Sequence, residues 1–402
     1  MIPMVQHAPA DMNRIVVVGH GIAGVTACHA LRDAGFTGHL TIVGDESHAP
    51  YSRPALSKAA LVDGQDLSAH LLPEATHGGL ELQGVPARSV DLFERTVTLE
   101  DDTKVAFDGL VIATGAGARK LTDSAHELTL RTMNDAENAQ SRFVPGQDVV
   151  VVGGGALGME LASGAVERGC RVSVVCSGTP MRRHLGEYLA SEITAIARDM
   201  GVRFIDATAV SATVDEESTV VELSDGSRIT GDVLVTAIGD HAHDRWLEGS
   251  GLLSGGRVVT DSRGRVLHED GTVLPHVVAA GDIAHWEGER QPLWTTAIEH
   301  AKVAALALLR GDLSEPLNFV PYFWTEQFGL TIRVMGRVPV HGAPEVIDSG
   351  ASKSAPDDQA VDPHRALLRW QSEDGSGTAV AVNYKIPIPK LRRLTERKAT
   401  AA

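Results

Sequence analysis

The sequence predicts an α/β protein with two nucleotide-binding strand–loop–helix units, one inserted into the other, and a small C-terminal α+β domain. Three observations carry this expectation. Two Gly-x-Gly-x-x-Gly loops each follow a short apolar strand and open a helix. Two further small-residue strand ends lie where the chain could cross between units. The segment after Pro316 changes to short alternating apolar runs.

The first loop lies in RIVVVGHGIAG, Arg14 to Gly24. Ile15 to Val18 is a continuous apolar run, as in a parallel strand buried on both faces. Gly19, Gly21 and Gly24 follow; the first permits a tight turn, the second lets backbone approach a pyrophosphate, and the third lets helix pack on strand. Val25 to Leu31 reads as the helix whose free N–H groups would meet the phosphates. A strand from Leu40 to Val43 ends in Gly44-Asp45-Glu46, and Asp45 is 21 residues past Gly24, near the spacing of a ribose-binding acid. His20, between the glycines, reads as a polar lining residue.

The second loop lies in VVVVGGGALGME, Val149 to Glu160, with Gly153, Gly155 and Gly158 in the same spacing. The helix continues from Glu160 to Val166 and the next strand is Arg171 to Val175. Here Cys176-Ser177-Gly178 stands where a ribose acid is expected, and Arg182 and Arg183 follow. A carboxylate there would repel a 2′-phosphate, whereas Ser177 and the arginines suit one, so this unit favours NADPH. Together the motifs describe two Rossmann-like units.

LVIATG (Leu110 to Gly115, with Thr114) and VLVTAIG (Val233 to Gly239) are the crossing strand ends, and VVAAGD (Val277 to Asp282) puts an acid after a small-residue strand. In this order the motifs resemble the glutathione-reductase-type fold, with an NAD(P) domain inserted into an FAD domain. In detail they resemble the ferredoxin reductases that serve bacterial oxygenases. The resemblance runs from about Arg14 to Gly336. It rests on GHGIAG, GDESHAPYSRPALSK (Gly44 to Lys58), LRTMNDA (Leu130 to Ala136), GGGALGMELA (Gly153 to Ala162), AAGD, LWTTAIEHAKVAA (Leu293 to Ala305) and VPYFWTEQFG (Val320 to Gly329).

The resemblance implies FAD contacts at Ala23, Asp45, Lys58, Ala87, Arg131, Asp282 and Trp294, with Ala87 replacing the usual valine. Glu46, Arg53, Thr114 and Gly239 join the candidate cofactor-binding residues. Lys58 and Glu160 match an ion pair beside the flavin ring, where a cation would stabilise negative charge. Trp324 matches an aromatic against the isoalloxazine, the alternative being a core or interface aromatic. His241-Ala242-His243-Asp244 and Arg333 depart from the family pattern.

The implied activity is hydride transfer from NAD(P)H to FAD, then single electrons to a small iron–sulfur ferredoxin, or a rubredoxin, feeding an oxygenase. Two other functions use the same residues: a flavoenzyme reducing a quinone or metabolite directly, and a flavin-binding protein that senses redox state. The three cysteines, Cys28, Cys170 and Cys176, form no Cys-x-x-Cys pair, and none falls within Tyr51 to Lys58. That speaks against a thiol relay, a protein-held iron–sulfur cluster or a structural zinc site.

A formal net charge of −16 disfavours nonspecific nucleic-acid binding. Docking an acidic ferredoxin then needs a local basic patch, for which Arg333, Arg337, Lys390, Arg392 and Arg393 are candidates. The basic run KIPIPKLRRLTERK, Lys385 to Lys398, reads either as part of that patch or as a solvated tail. No apolar run approaches the roughly 18 residues of a membrane span, and Met1 to Asn13 lacks the order of a secretory signal. A cytoplasmic monomer or homodimer is expected. The expected domains are 1–118 and 243–318 for FAD, 119–242 for NAD(P), and 319–402 at the C-terminus, with Asp348 to Asp362 a mobile loop.

Overall fold

The computed structural model describes residues 12–58, 60–61, 66–216, 218–286, 288–349, 364–371 and 376–396. The chain divides into two compact units, one of residues 1–52, 70–117 and 241–319, the other of residues 53–69, 118–240 and 320–402.

In the first unit the strand Arg14–Val18 pairs in parallel with His39–Val43 on one side and Gly109–Ile112 on the other. Leu80–Leu82 extends the sheet beyond His39–Val43, and Val273–Ala279 extends it beyond Gly109–Ile112. Successive side chains of the first strand point to opposite faces, and both faces are covered. Ile15 and Val17 meet Ala27, Leu31, Ala301, Ala304 and Leu308 of the helices Ile22–Asp33 and Trp294–Arg310. Val16 and Val18 pack with Val97, Leu99, Phe107, Trp246 and Leu247 on the other face. The alanines on the two helices keep them close, and Ala23 and Ala297 near their starts both approach Gly281, just past the strand Val273–Ala279.

The second unit repeats the plan. Asp148–Val152 pairs in parallel with Arg171–Cys176 and Val233–Thr236, and Arg203–Asp206 continues the sheet beyond Arg171–Cys176. The first four strands of each sheet in chain order therefore lie in the order third, second, first, fourth, the doubly wound arrangement that binds dinucleotides at the strand ends. The predicted helices start earlier than the apolar runs suggested, at Ile22 and Ala156, because the last glycine of each loop lies inside the helix.

The C-terminal segment forms a five-stranded antiparallel sheet, ordered Tyr322–Gln327, Leu330–Met335, Gly377–Val382, Ala366–Gln371 and Glu345–Asp348. The basic segment is not a free tail as far as Glu396. Pro387 caps the helix Ile388–Arg393, and Leu391 is buried with Met335, Leu367, Ala379 and Ala381. Arg333 holds the approach to that helix, donating to the carbonyls of Tyr384 at 2.5 Å and Ile386 at 3.0 Å. Lys390, Arg392, Arg393 and Arg337 remain exposed. Most of the expected mobile loop, from residue 350 on, and the basic residues beyond Glu396 lie outside the described residues.

Candidate functional site

The first glycine loop has geometry that only glycine supplies. Gly19 has φ of 114°, and a Cβ there would lie 2.1 Å from the Ala113 carbonyl oxygen. A Cβ on Gly24 would lie 1.9 Å from the Gly19 carbonyl oxygen, so the helix could not seat on the turn. A Cβ on Gly21 would meet nothing, which leaves open space over the loop where a phosphate fits. Gly21 is the N-cap of Ile22–Asp33 with no side-chain cap and no acid in the first turn, so the helix's positive end is not neutralised locally.

Ala23 is buried and approaches the turn before Asp282: a Cβ on Gly281 would lie 3.1 Å from the Ala23 Cβ and 3.5 Å from the Ala297 Cβ. The helix beginning at Trp294 is also uncapped by a side chain, and the Thr296 hydroxyl in its first turn is fully buried without a partner. Arg290 donates to the Asp282 carbonyl at 2.5 Å. Open space at Gly21, two uncapped helix starts and an orphaned buried hydroxyl fit a bound dinucleotide at this end of the sheet.

The remaining residues foreseen for this unit are spread around that end. Asp45 is exposed just past the second strand, and Glu46 accepts the Tyr51 hydroxyl at 2.5 Å. Thr114 donates to the His243 carbonyl at 2.8 Å. Ala87 begins the separate strand Ala87–Asp91. His20 packs over Gly44, and its Nε2 lies 3.2 Å from Glu81. Burial lowers the His20 pKa, and Glu81 opposes that shift.

The second loop repeats the first. Gly153 has φ of 118°, its Cβ would lie 2.3 Å from the Ala237 carbonyl oxygen, and a Cβ on Gly158 would lie 2.0 Å from the Gly153 carbonyl oxygen. Gly155 differs from Gly21, since a Cβ there would come within 3.1 Å of the His184 ring. At the strand end, Cys176 Sγ packs on Gly154, and burial pushes its thiol up to about 11. Gly178 N–H donates to Asp206 at 2.8 Å. Arg182 pairs with Glu187 at 2.9 Å, and Arg183 is exposed. Ser177 is exposed and Gly239 takes a positive φ of 103°.

A buried polar constellation in the second unit surrounds Glu160, one helical turn into Ala156–Glu167. Glu160 Oε2 accepts from Lys58 Nζ at 2.9 Å and from the Ser57 hydroxyl, while Oε1 accepts from Thr325 at 2.6 Å. Gln327 donates to the Thr325 hydroxyl at 2.9 Å, and the Phe328 N–H donates to Ser163 at 2.7 Å. Lys58 also donates to the Pro54 carbonyl at 3.1 Å. The side chains of Lys58 and Glu160 are only 10% and 5% exposed, so each charge depends on the other.

Trp324 is not a core aromatic. It is half-buried on the strand face opposite Thr325, stacks on Tyr322 with ring centroids 5.9 Å apart, and lies 5.8 Å from Lys58 Nζ. Arg53 donates to the Arg131 carbonyl at 2.6 Å, and Arg131 N–H donates to Asp135, the carboxylate that closes the N-terminal cap of the helix Met133–Arg142. The second unit thus brings Lys58, Glu160 and Trp324 together, with Arg53 tied to Arg131 by a separate contact.

Ser57, Thr325, Gln327 and Asp206 escaped the sequence analysis. Thr325 and Gln327 flank Glu326 at the end of Tyr322–Gln327, a two-residue spacing that puts two buried polar residues on one face. Asp206 ends the strand Arg203–Asp206, so an acid at a strand end was visible there, one strand away from the expected place.

The three cysteines are free; Cys28 and Cys170 are buried and their thiol pKa values are raised by that burial. Among the described residues no helix is long and apolar enough to cross a membrane.

Comparison with known proteins agrees with this geometry. Residues 13–305 match the pyridine nucleotide-disulphide oxidoreductase model. The 3-phenylpropionate/cinnamic acid dioxygenase ferredoxin–NAD(+) reductase component of Photorhabdus laumondii is 31% identical, over 80% of this chain and 84% of the relative. The chlorobenzene dioxygenase ferredoxin reductase component of a Cupriavidus species is 32% identical, over 96% of this chain and 93% of its own. The ferredoxin reductase for the CYP199A2 system of Rhodopseudomonas palustris, a solved structure, superposes with a TM-score of 0.80 at 25% identity, over 92% of this chain and 91% of that one. With its family model covering both glycine loops, the chain belongs to the pyridine nucleotide-disulphide oxidoreductases.

Proposed function

We propose that this protein is an FAD-dependent NAD(P)H:ferredoxin reductase that passes electrons to a small iron–sulfur ferredoxin supplying an oxygenase. The observation that carries it is the buried Lys58–Glu160 pair, built on the helix of the second glycine loop. When bound, FAD supplies the chemistry that accepts a hydride and gives up electrons one at a time.

The chain's own groups bind, orient and exclude water. Gly19, Gly21 and Gly24 and the uncapped start of Ile22–Asp33 would hold the FAD pyrophosphate. Asp45, Glu46, Ala23, Ala87, Thr114, Asp282 and Trp294 are assigned to the same cofactor, as are Arg53 and Arg131. Gly153, Gly155, Gly158 and Gly239, with Ser177, Arg182 and Arg183, are assigned to the nicotinamide dinucleotide.

Lys58 presents a fixed positive charge in a nearly dry setting, where it favours nearby negative charge more strongly than in water. Glu160 keeps that ammonium in place, and Ser57 and Thr325 fix the carboxylate in turn. Trp324 offers an aromatic face beside the ammonium. Hydride transfer needs alignment rather than a general acid or base. With Cys28 and Cys170 buried, and Cys176 at the nucleotide strand end, no thiol relay is called for.

The proposed domains are 1–118 and 243–318 for FAD, 119–242 for NAD(P), and 319–402 for the C-terminal part, acting in the cytoplasm. The test is NADH- or NADPH-driven reduction of a purified [2Fe–2S] ferredoxin, read at the ferredoxin's own absorbance. Turnover that requires FAD and drops at least tenfold in Lys58→Met is expected. Turnover of quinones alone, with none of ferredoxin, would replace this proposal by direct small-molecule reduction.

A further inference from the structure

The second glycine loop lacks an acid in sequence at the position that reads the ribose, yet it has one in space. Cys176 and Asp206 are register partners at the ends of neighbouring parallel strands. Asp206 leans across the end of Arg171–Cys176, and one of its oxygens takes the Gly178 N–H at 2.8 Å. Its other oxygen has no partner among the described residues. The loop it anchors is tied to the glycine turn by the Met181 N–H, which donates to the Gly154 carbonyl at 2.7 Å.

The cations that would favour a 2′-phosphate are arranged differently from what their spacing suggests. Arg182 is engaged by Glu187 at 2.9 Å, which leaves Arg183 as the exposed cation of that short helix. The His184 ring lies against Gly155. The groups around the strand end are therefore one carboxylate with an open oxygen, one paired arginine, one open arginine and a thiol. A ribose 2′-hydroxyl can donate to the open carboxylate oxygen, whereas a doubly charged 2′-phosphate would be repelled by it.

We infer that Asp206 is the residue that selects NADH over NADPH, doing from the third strand of the sheet what the family fingerprint does from the second. This rests on the proposed nicotinamide-dependent reading of the same loop and reverses the preference suggested by Ser177, Arg182 and Arg183. Asp206 is a specificity residue and has no part in hydride transfer.

The test is direct binding of NAD+ and NADP+ to the FAD-loaded protein by calorimetry, without turnover, for wild type, Asp206→Asn and Asp206→Ala. Asn keeps an oxygen for the Gly178 N–H and removes the charge. Wild type should bind NAD+ more tightly, and Asp206→Asn should raise the NADP+ to NAD+ affinity ratio about tenfold. Asp206→Ala should do the same and also weaken NAD+, because the loop loses its anchor. A full flavin spectrum in each variant confirms that the protein is folded.

If both nucleotides bind and Asp206→Asn leaves their ratio unchanged, the assignment of Asp206 is overturned while the proposed function stands. Tighter NADP+ than NAD+ binding by wild type overturns it equally. If neither nucleotide binds the loaded protein, both readings fall together.

Discussion

The two glycine loops are near copies in backbone and opposites in chemistry. Gly19 and Gly153 share a positive φ within a few degrees, and Gly24 and Gly158 leave the same short distance to a carbonyl oxygen. Their sharpest divergence in charge lies two residues past the last glycine, where the first helix carries Thr26 and the second carries Glu160. The first helix packs with alanines against a neighbouring helix, whereas the second puts a buried carboxylate under Lys58, Ser57 and Thr325. The lesson is that the loop sets where a dinucleotide can lie, and the first helical turn beyond it decides what else the unit can do.

The sharpest way to break this comparison is at Glu160. Glu160→Ala strands the Lys58 ammonium and two hydroxyls, and a loss of about 3–5 kcal/mol in urea unfolding is expected. The matching change in the first helix, Thr26→Ala, should cost under about 0.5 kcal/mol, since Thr26 is half-buried and outside any such network. Equal losses would mean that the contrast between the helices is not energetic.

The units also differ in how they bury titratable groups. The first holds His300 essentially buried, stacked on Trp286 at 4.0 Å, with burial lowering its pKa to about 4. An imidazole freed by unfolding takes up a proton near pH 6.5 while the folded one waits until about pH 4, so acidification favours the unfolded chain. Stability should fall by up to about 3 kcal/mol between those two pH values, and His300→Phe should flatten that part of the profile. A profile unchanged by the substitution would show that another group governs the acid limb.

A third pair of variants separates the loops by ligand. Gly24→Ala should lower FAD affinity about a hundredfold, because the added methyl meets the Gly19 carbonyl. Gly158→Ala should leave FAD bound and lower nicotinamide dinucleotide affinity by a similar factor. Fluorescence titration of each ligand reads both numbers, and loss of the same ligand from both variants would deny the division of labour. Within the Glu160 cluster a smaller effect belongs to Thr325→Val, which removes one donor from Glu160 and should cost about 1–2 kcal/mol.

Much of this was legible locally. The valine runs, glycine spacing and small-residue strand ends each act within a few residues, so strands, turns and helices could be read in order. Lys58 and Glu160 were legible through family resemblance, not through spacing, because they are far apart in sequence and meet only in the fold. Ser57 and Thr325 were missed for the same reason: a serine and a threonine are unremarked until burial makes a hydrogen-bond partner obligatory. The strand-end acid was sought on one strand and found on its neighbour, since parallel register puts Cys176 and Asp206 side by side whatever their separation along the chain. The basic C-terminal run concealed one leucine, Leu391, whose burial turns an apparent tail into a packed helix.

The central claim, two dinucleotide sites serving one electron path, is tested most directly by anaerobic stopped-flow. The FAD-loaded protein is mixed with one equivalent of NADH and then with a [2Fe–2S] ferredoxin, while flavin and ferredoxin absorbance are followed together. The account predicts rapid loss of the oxidised flavin band, then its recovery as two ferredoxins are reduced for each NADH consumed, because a hydride carries two electrons. A flavin band untouched by either nicotinamide nucleotide, or one that bleaches and never passes electrons to ferredoxin, would contradict it.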